Sequence, residues 1–136
     1  NLYNLNNSKE AISSLKKVIV WEGEKSCLLY ASYFGQENDI TCAACGSSLT
    51  KYQVQLLLSL GVEEIIIGFD KQFQQEGDEE WQRWTKKLTD IHTRYGAMCQ
   101  ISFLFDKSGD LLKYKDSPID EGMEIFLKLF EERIMV

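Results

Sequence analysis

Four carboxylates in this chain have the type and placement to share a metal ion. Glu22 follows the apolar run Lys17–Trp21 (KVIVW), Asp70 follows Val62–Phe69 (VEEIIIGF), and Asp116 and Asp120 lie in Lys115–Asp120 (KDSPID). Acids at the ends of separate apolar runs, each beside glycine or a turn, offer hard oxygen to Mg2+ or Mn2+. Such ions keep part of their water shell and present it to a phosphate substrate. Taken alone, Asp70 would be a strand-ending turn acid and Asp120 a helix N-cap. Taken together, Glu22, Asp70 and Asp116 read as functional.

The other chemistry-bearing residues point elsewhere. Cys27, Cys42, Cys45 and Cys99 include one CxxC, but no second pair with ligand spacing follows, so a structural zinc site is not expected. A long, core-rich chain without a secretion signal is not a disulfide scaffold; reduced thiols in the cytoplasm are the expectation. His92, the only histidine, falls within a helical pattern.

The elements that must hold these residues alternate. KVIVW is a β-branched run of the kind buried on both faces. Lys25–Phe34 has helical spacing and Gly35 to end it. Ile40–Ala44 is the next apolar run, and Thr50 with Gln53 predicts a capping box for a helix reaching Leu60. Val62–Phe69 is a third strand. Trp81, Trp84, Leu88, Ile91 and Tyr95 form one apolar stripe that stops at Gly96. Met98–Phe105 is a fourth strand, and Asp120–Arg133 a last helix with Met123, Phe126, Leu127 and Phe130 on one face. This alternation predicts an α/β fold, about four mostly parallel strands flanked by helices. Functional groups then collect at the carboxyl ends of the strands, where Glu22, Asp70 and Asp106 lie.

Composition bounds the rest. With 136 residues, 44% hydrophobic and 12% aromatic, the chain suits one domain with one core and is not a disordered segment. Residues 1–16 read as a lead-in. No apolar run approaches the length of a membrane span, and no leader pattern is visible, so no membrane partner is expected. The net charge of −6 is opposite to the basic footprint of a typical nucleic-acid binder. Contact with nucleic acid would need metal ions, a local patch or a basic neighbouring domain. The acids from Asp78 to Glu80 read as a solvated helix start. A first residue other than Met suggests a piece of a longer protein.

VIVWEGEKS (Val18–Ser26), CGSSLTKYQ (Cys45–Gln53), EEIIIGFDKQF (Glu63–Phe73) and KDSPIDEG (Lys115–Gly122) together resemble a TOPRIM domain, nearest to DnaG-like DNA primases of phages and prophages. The resemblance runs from Lys17 onward. It implies a Rossmann-like TOPRIM fold and Mg2+-dependent nucleotidyl transfer, in which a primer 3′-hydroxyl attacks an incoming nucleoside triphosphate to make RNA primers for DNA replication. It implies catalytic roles for Glu22 and Asp70, metal ligation by Glu22, Asp70, Asp116 and Asp120, and phosphate or nucleic-acid contacts by Lys25 and Lys71. Its partners would be a single-stranded DNA template, nucleoside triphosphates and a replicative helicase, met through the longer protein.

Two positions depart from the TOPRIM pattern. The DxD motif reads Asp70-Lys71-Gln72, and EGxxD reads Glu22-Gly23-Glu24-Lys25-Ser26. An amide oxygen ligates Mg2+ more weakly than a carboxylate; Asp106, Asp116 or Asp120 would have to compensate. A TOPRIM nuclease and a non-catalytic module binding nucleic acid or a helicase are the alternatives. A receiver-like signalling domain would need an acidic pair after the first strand, and Glu22 has no such neighbour.

Overall fold

A computed structural model describes residues 2–135. Five strands, β1 (Lys17–Trp21), β2 (Thr41–Ala43), β3 (Glu64–Gly68), β4 (Gln100–Phe103) and β5 (Ile134–Met135), form one sheet in the order β2-β1-β3-β4-β5. The first four are parallel, and β5 runs antiparallel to β4. The helices are α1 (Leu5–Leu15), α2 (Glu24–Phe34), α3 (Lys51–Ser59), α4 (Glu79–Tyr95) and α5 (Met123–Glu131).

Local sequence explains most of these elements. Val18, Ile19, Val20 and Trp21 are all fully buried, as a central parallel strand covered on both faces requires. In α4, Trp84, Leu88, Ile91 and Tyr95 are the buried stripe, and Asp78 caps the helix by accepting from the Trp81 N–H at 2.7 Å. The Thr50–Gln53 capping box is present in full at the start of α3.

The strands register so that Trp21 of β1 lies beside Gly68 of β3. A Cβ at Gly68 would meet the Trp21 ring at 2.7 Å, so glycine makes room for the largest side chain of the core. Around that ring Tyr30, Phe34 and Phe126 form an aromatic cluster, with Trp21 and Phe126 centroids 5.9 Å apart. This cluster sets the inner face of α5. Phe126 and Leu129 are buried, whereas Met123 and Leu127, expected on that face, are exposed. The helix also starts later than expected. Its cap is Gly122, with φ of 105°, and Asp120 lies outside it.

Two elements went unread in the sequence. The lead-in carries α1, which buries only Ser8 and Ile12 and is closed by left-handed Asn4 and Lys16. The Asn4 amide donates to Asp39 Oδ2 at 2.8 Å and to the Thr41 carbonyl at 2.9 Å, docking α1 at the start of β2. Beyond it, Tyr3 and Ala43 exchange both backbone hydrogen bonds along the β2 edge. At the other edge, Arg133 leads into β5 and grips Glu64 with two bonds, Nε to Oε2 at 2.7 Å and Nη2 to Oε1 at 3.1 Å. Ser102 adds a third at 2.6 Å.

Candidate functional site

The site lies on the carboxyl edge of the sheet. β1 and β3 are adjacent and parallel, so their ends release Glu22 and Asp70 side by side, and the Asp70 N–H donates to Glu22 Oε1 at 3.3 Å. The segment carrying Asp116 and Asp120 is clipped onto the same edge. The Lys71 N–H donates to the Asp116 carbonyl, and the Lys115 N–H returns a bond to the Lys71 carbonyl, both at 2.8 Å. Asp120 Oδ2 accepts from the Ser117 N–H at 2.8 Å and Asp116 Oδ2 from the Lys113 N–H at 2.8 Å, which folds the loop so that both carboxylates stay near Asp70. Ser26 and Ser117 hydrogen-bond at 2.7 Å in a buried contact that ties the first turn of α2 to this loop.

The electrostatics register the convergence. Burial pushes the Asp70 carboxyl up to about 7, and the charges of Glu22, Asp120 and Asp116 add to the rise. Glu121, hydrogen-bonded to Asp116, is raised by that neighbour and joins the same acidic edge. Three chain segments far apart in sequence thus bring negative charge to one point, the field a cation relieves.

These donors fit Mg2+ or Mn2+. Among the described residues, no group of three His, Cys, Asp or Glu side chains forms a ready-made cage. Mg2+ does not require one, since one or two carboxylates plus water and substrate phosphate complete its octahedron. Glu22 and Asp70 would supply such a pair, and the charges of Asp116 and Asp120 reach Asp70 from the neighbouring loop. Gln72, which replaces the second acid of the DxD pattern, lines the same cavity as Glu22. Ser26, which replaces the aspartate of EGxxD, is buried against Ser117 and holds the loop.

The two lysines differ. Lys25 is exposed in the first turn of α2, open to solvent. Lys71 corrects its expected role as a phosphate contact. Successive residues leaving a strand point to opposite sides; Asp70 faces the edge and Lys71 turns inward, where its residue is 5% exposed. Its ammonium donates to Asp106 at 3.1 Å and to the Gly109 and Leu112 carbonyls at 2.8 Å each, over the Phe73 ring. Asp106 is corrected with it. Its oxygens accept from the Gly109, Leu111 and Leu112 N–H groups, so it is no substitute metal ligand. The pair instead pins the loop from residue 106 to 112, which leads into the segment carrying Asp116.

Beside Glu22 the edge opens into a cavity of about 400 Å³ lined by Ser47, Gln72, Glu80, Arg83, Trp84 and Lys87. Arg83 and Lys87 were missed in the sequence. Their signal was available, as basic positions four apart on the polar side of a strongly amphipathic helix.

No family model matches this chain. The catalytic core of DnaG superposes with a TM-score of 0.66 at 22% identity, over 99% of this chain and 40% of that one. The TOPRIM fold of DnaG-type primase cores is the fold of this chain. The zinc-binding and RNA polymerase domains of Aquifex aeolicus primase match with a TM-score of 0.65 at 20% identity, covering 100% of this chain and 30% of that one. The RNA polymerase domain of Mycobacterium tuberculosis DnaG, solved with double-stranded DNA, matches with a TM-score of 0.63 at 18% identity, over 97% and 39%. In sequence, the SPbeta prophage-derived uncharacterized protein YorJ of Bacillus subtilis strain 168 is 36% identical over 143 residues. All of this chain is matched there, and it spans 37% of that protein's length.

Proposed function

We propose that this chain is the nucleotidyl-transfer domain of a phage-type DNA primase, one module of a longer protein that makes RNA primers. The observation carrying this reading is the convergence of Glu22, Asp70, Asp116 and Asp120 at the carboxyl edge of a TOPRIM sheet, where the Asp70 N–H meets Glu22 and the Lys71 backbone clips on the loop of Asp116. Bound Mg2+ would offset phosphate charge and lower the pKa of a primer 3′-hydroxyl. Glu22 and Asp70 would hold that ion, and Glu22 Oε2, the oxygen that does not accept from the Asp70 N–H, would take the hydroxyl proton. Asp116 and Asp120 would support the ion through its bound water. Lys25 meets substrate phosphate. Template, nucleoside triphosphates and a helicase are engaged with the remainder of the longer protein, in the cytoplasm. The isolated 136 residues are therefore expected to make little primer.

The test is template-dependent RNA synthesis by the longer protein with Mg2+. Glu22→Gln and Asp70→Asn should each lower it by at least about a hundredfold while leaving the fold intact. Unchanged synthesis by Glu22→Gln removes Glu22 from the mechanism. A nuclease would use the same four carboxylates, and shortening of labelled strands in place of primer growth would assign that activity instead.

A further inference from the structure

The cavity beside Glu22 does not end there. A second cavity of about 480 Å³ continues from it, sharing Ser47, Arg83 and Lys87 and adding Ser48, Leu49, Lys86, Asp90, Ile91 and Arg94. One wall is the polar side of α4. The other is the loop after β2, laid along the helix by two contacts. The Lys87 ammonium donates to Ser47 Oγ at 2.8 Å, and the buried Tyr95 hydroxyl donates to the Leu49 carbonyl at 2.8 Å. The trough is thus built by the fold and held at both ends.

Its charge runs against that of the chain. The protein carries −6 overall, yet this trough presents Arg83, Lys86, Lys87 and Arg94. Lys86 is paired with Asp90 at 3.1 Å, and Glu80 lies at the end nearest Glu22. That leaves Arg83, Lys87 and Arg94 facing into it. At 1.5 Å rise per residue, Arg83 and Arg94 are separated by about 17 Å along the helix, more than the phosphates of one nucleotide cover.

We propose that the trough between α4 and the loop after β2 is a track for the phosphodiester backbone of a single nucleic-acid strand, delivering it to Glu22 and Asp70. This deepens the primase reading and rests on it. Arg83 and Lys87 hold the phosphates nearest the carboxylates, and Arg94 holds one farther out. The acidic balance of the rest of the surface repels the strand elsewhere, so three cations in a row are enough to direct it. Serine hydroxyls on the facing wall supply neutral hydrogen bonds, which suit a sequence-independent contact.

The test measures binding of a labelled 15-nucleotide single strand to the 136-residue chain in EDTA, across a salt series. Binding is expected at low salt. Replacing Arg83, Lys87 and Arg94 together by alanine should weaken it at least tenfold and reduce the slope of log affinity against log salt by about 2, at roughly 0.7 per lost phosphate contact. The control triple variant Lys9→Ala, Lys51→Ala, Lys128→Ala should change neither. Nucleoside triphosphate should not displace the strand. The proposal is overturned by absence of binding, by equal losses in both triple variants, by full displacement with nucleoside triphosphate, or by an equally tight duplex with the same dependence on these residues. Because metal is absent, Glu22→Gln and Asp70→Asn should bind the strand as well as the parent chain does. Lost Mn2+ binding with intact strand binding, or the reverse, shows which of the two readings fails.

Discussion

The two ends of β3 carry carboxylates in opposite circumstances. Glu64 opens the strand and is 6% exposed; burial alone would raise its carboxyl, but bonds from Arg133 and Ser102 hold it below the ordinary range. Asp70, just past the other end, is raised to about 7 by burial and by three like charges, with no cation among the described residues to answer them. Lys71, the nearest candidate, is turned away to Asp106. The same strand therefore has an end that is electrostatically closed, holding the fold together, and an end whose negative charge gathers unneutralised. The contrast separates acids whose charge the fold answers from those whose charge it leaves unanswered.

The largest expected break of this contrast is Arg133→Met, which strands Glu64 in a buried position. Urea denaturation should show a loss of about 3 kcal/mol, with most of it recovered by adding Glu64→Gln. Next is the response of Asp70 to metal. Since Mn2+ must displace the Asp70 proton below pH 7, its affinity should fall about tenfold per unit as pH drops from 6 to 5, and Asp70→Asn should remove this dependence.

Smaller effects concern stability without metal. The folded value of Asp70 lies above its unfolded value of 3.8, so its cost to the fold is full above about pH 7 and vanishes below 3.8. Asp70→Asn should thus raise the melting temperature by about 3 °C at pH 8 and leave it nearly unchanged at pH 4. Glu64 has the reverse sign; the stability it lends is present above the unfolded value of 4.5 and is lost as pH falls through its lowered folded value. The smallest effect is Glu22→Gln on Asp70 itself. Burial is the larger cause, so carboxyl titration by NMR should find Asp70 shifted down yet still above 3.8.

The parts of this arrangement that follow short-range rules were legible from residues alone. A β-branched run reads as a buried strand, a parallel sheet gathers function at one edge, and that places Glu22 and Asp70 together. Asp116 and Asp120 obey no such periodicity. Their loop is held by the Lys71 backbone and by Ser26, contacts between distant segments, so the residues alone show an acidic segment after the fourth strand, and the TOPRIM resemblance adds its place beside Asp70. The phosphate contact that the resemblance implies for Lys71 is not met, since its ammonium is drawn inward to Asp106 and the Gly109 and Leu112 carbonyls, contacts that no local pattern shows. Helix α1 has too small a buried face to show a stripe, and β5 is too short for any pattern. The face of α5 was set by the aromatic cluster around Trp21, which lies on other elements.

The backbone pairing of Tyr3 with Ala43 and of Ile134–Met135 with β4 has a consequence for handling the protein. Each covers one lateral margin of the sheet, where strands otherwise present unpaired amide and carbonyl groups to any passing chain. Shortening the polypeptide by a few residues at either terminus would leave the carboxylates untouched and yet bare an adhesive ribbon. Such trimmed forms should be lost to intermolecular aggregation before they lose any chemistry.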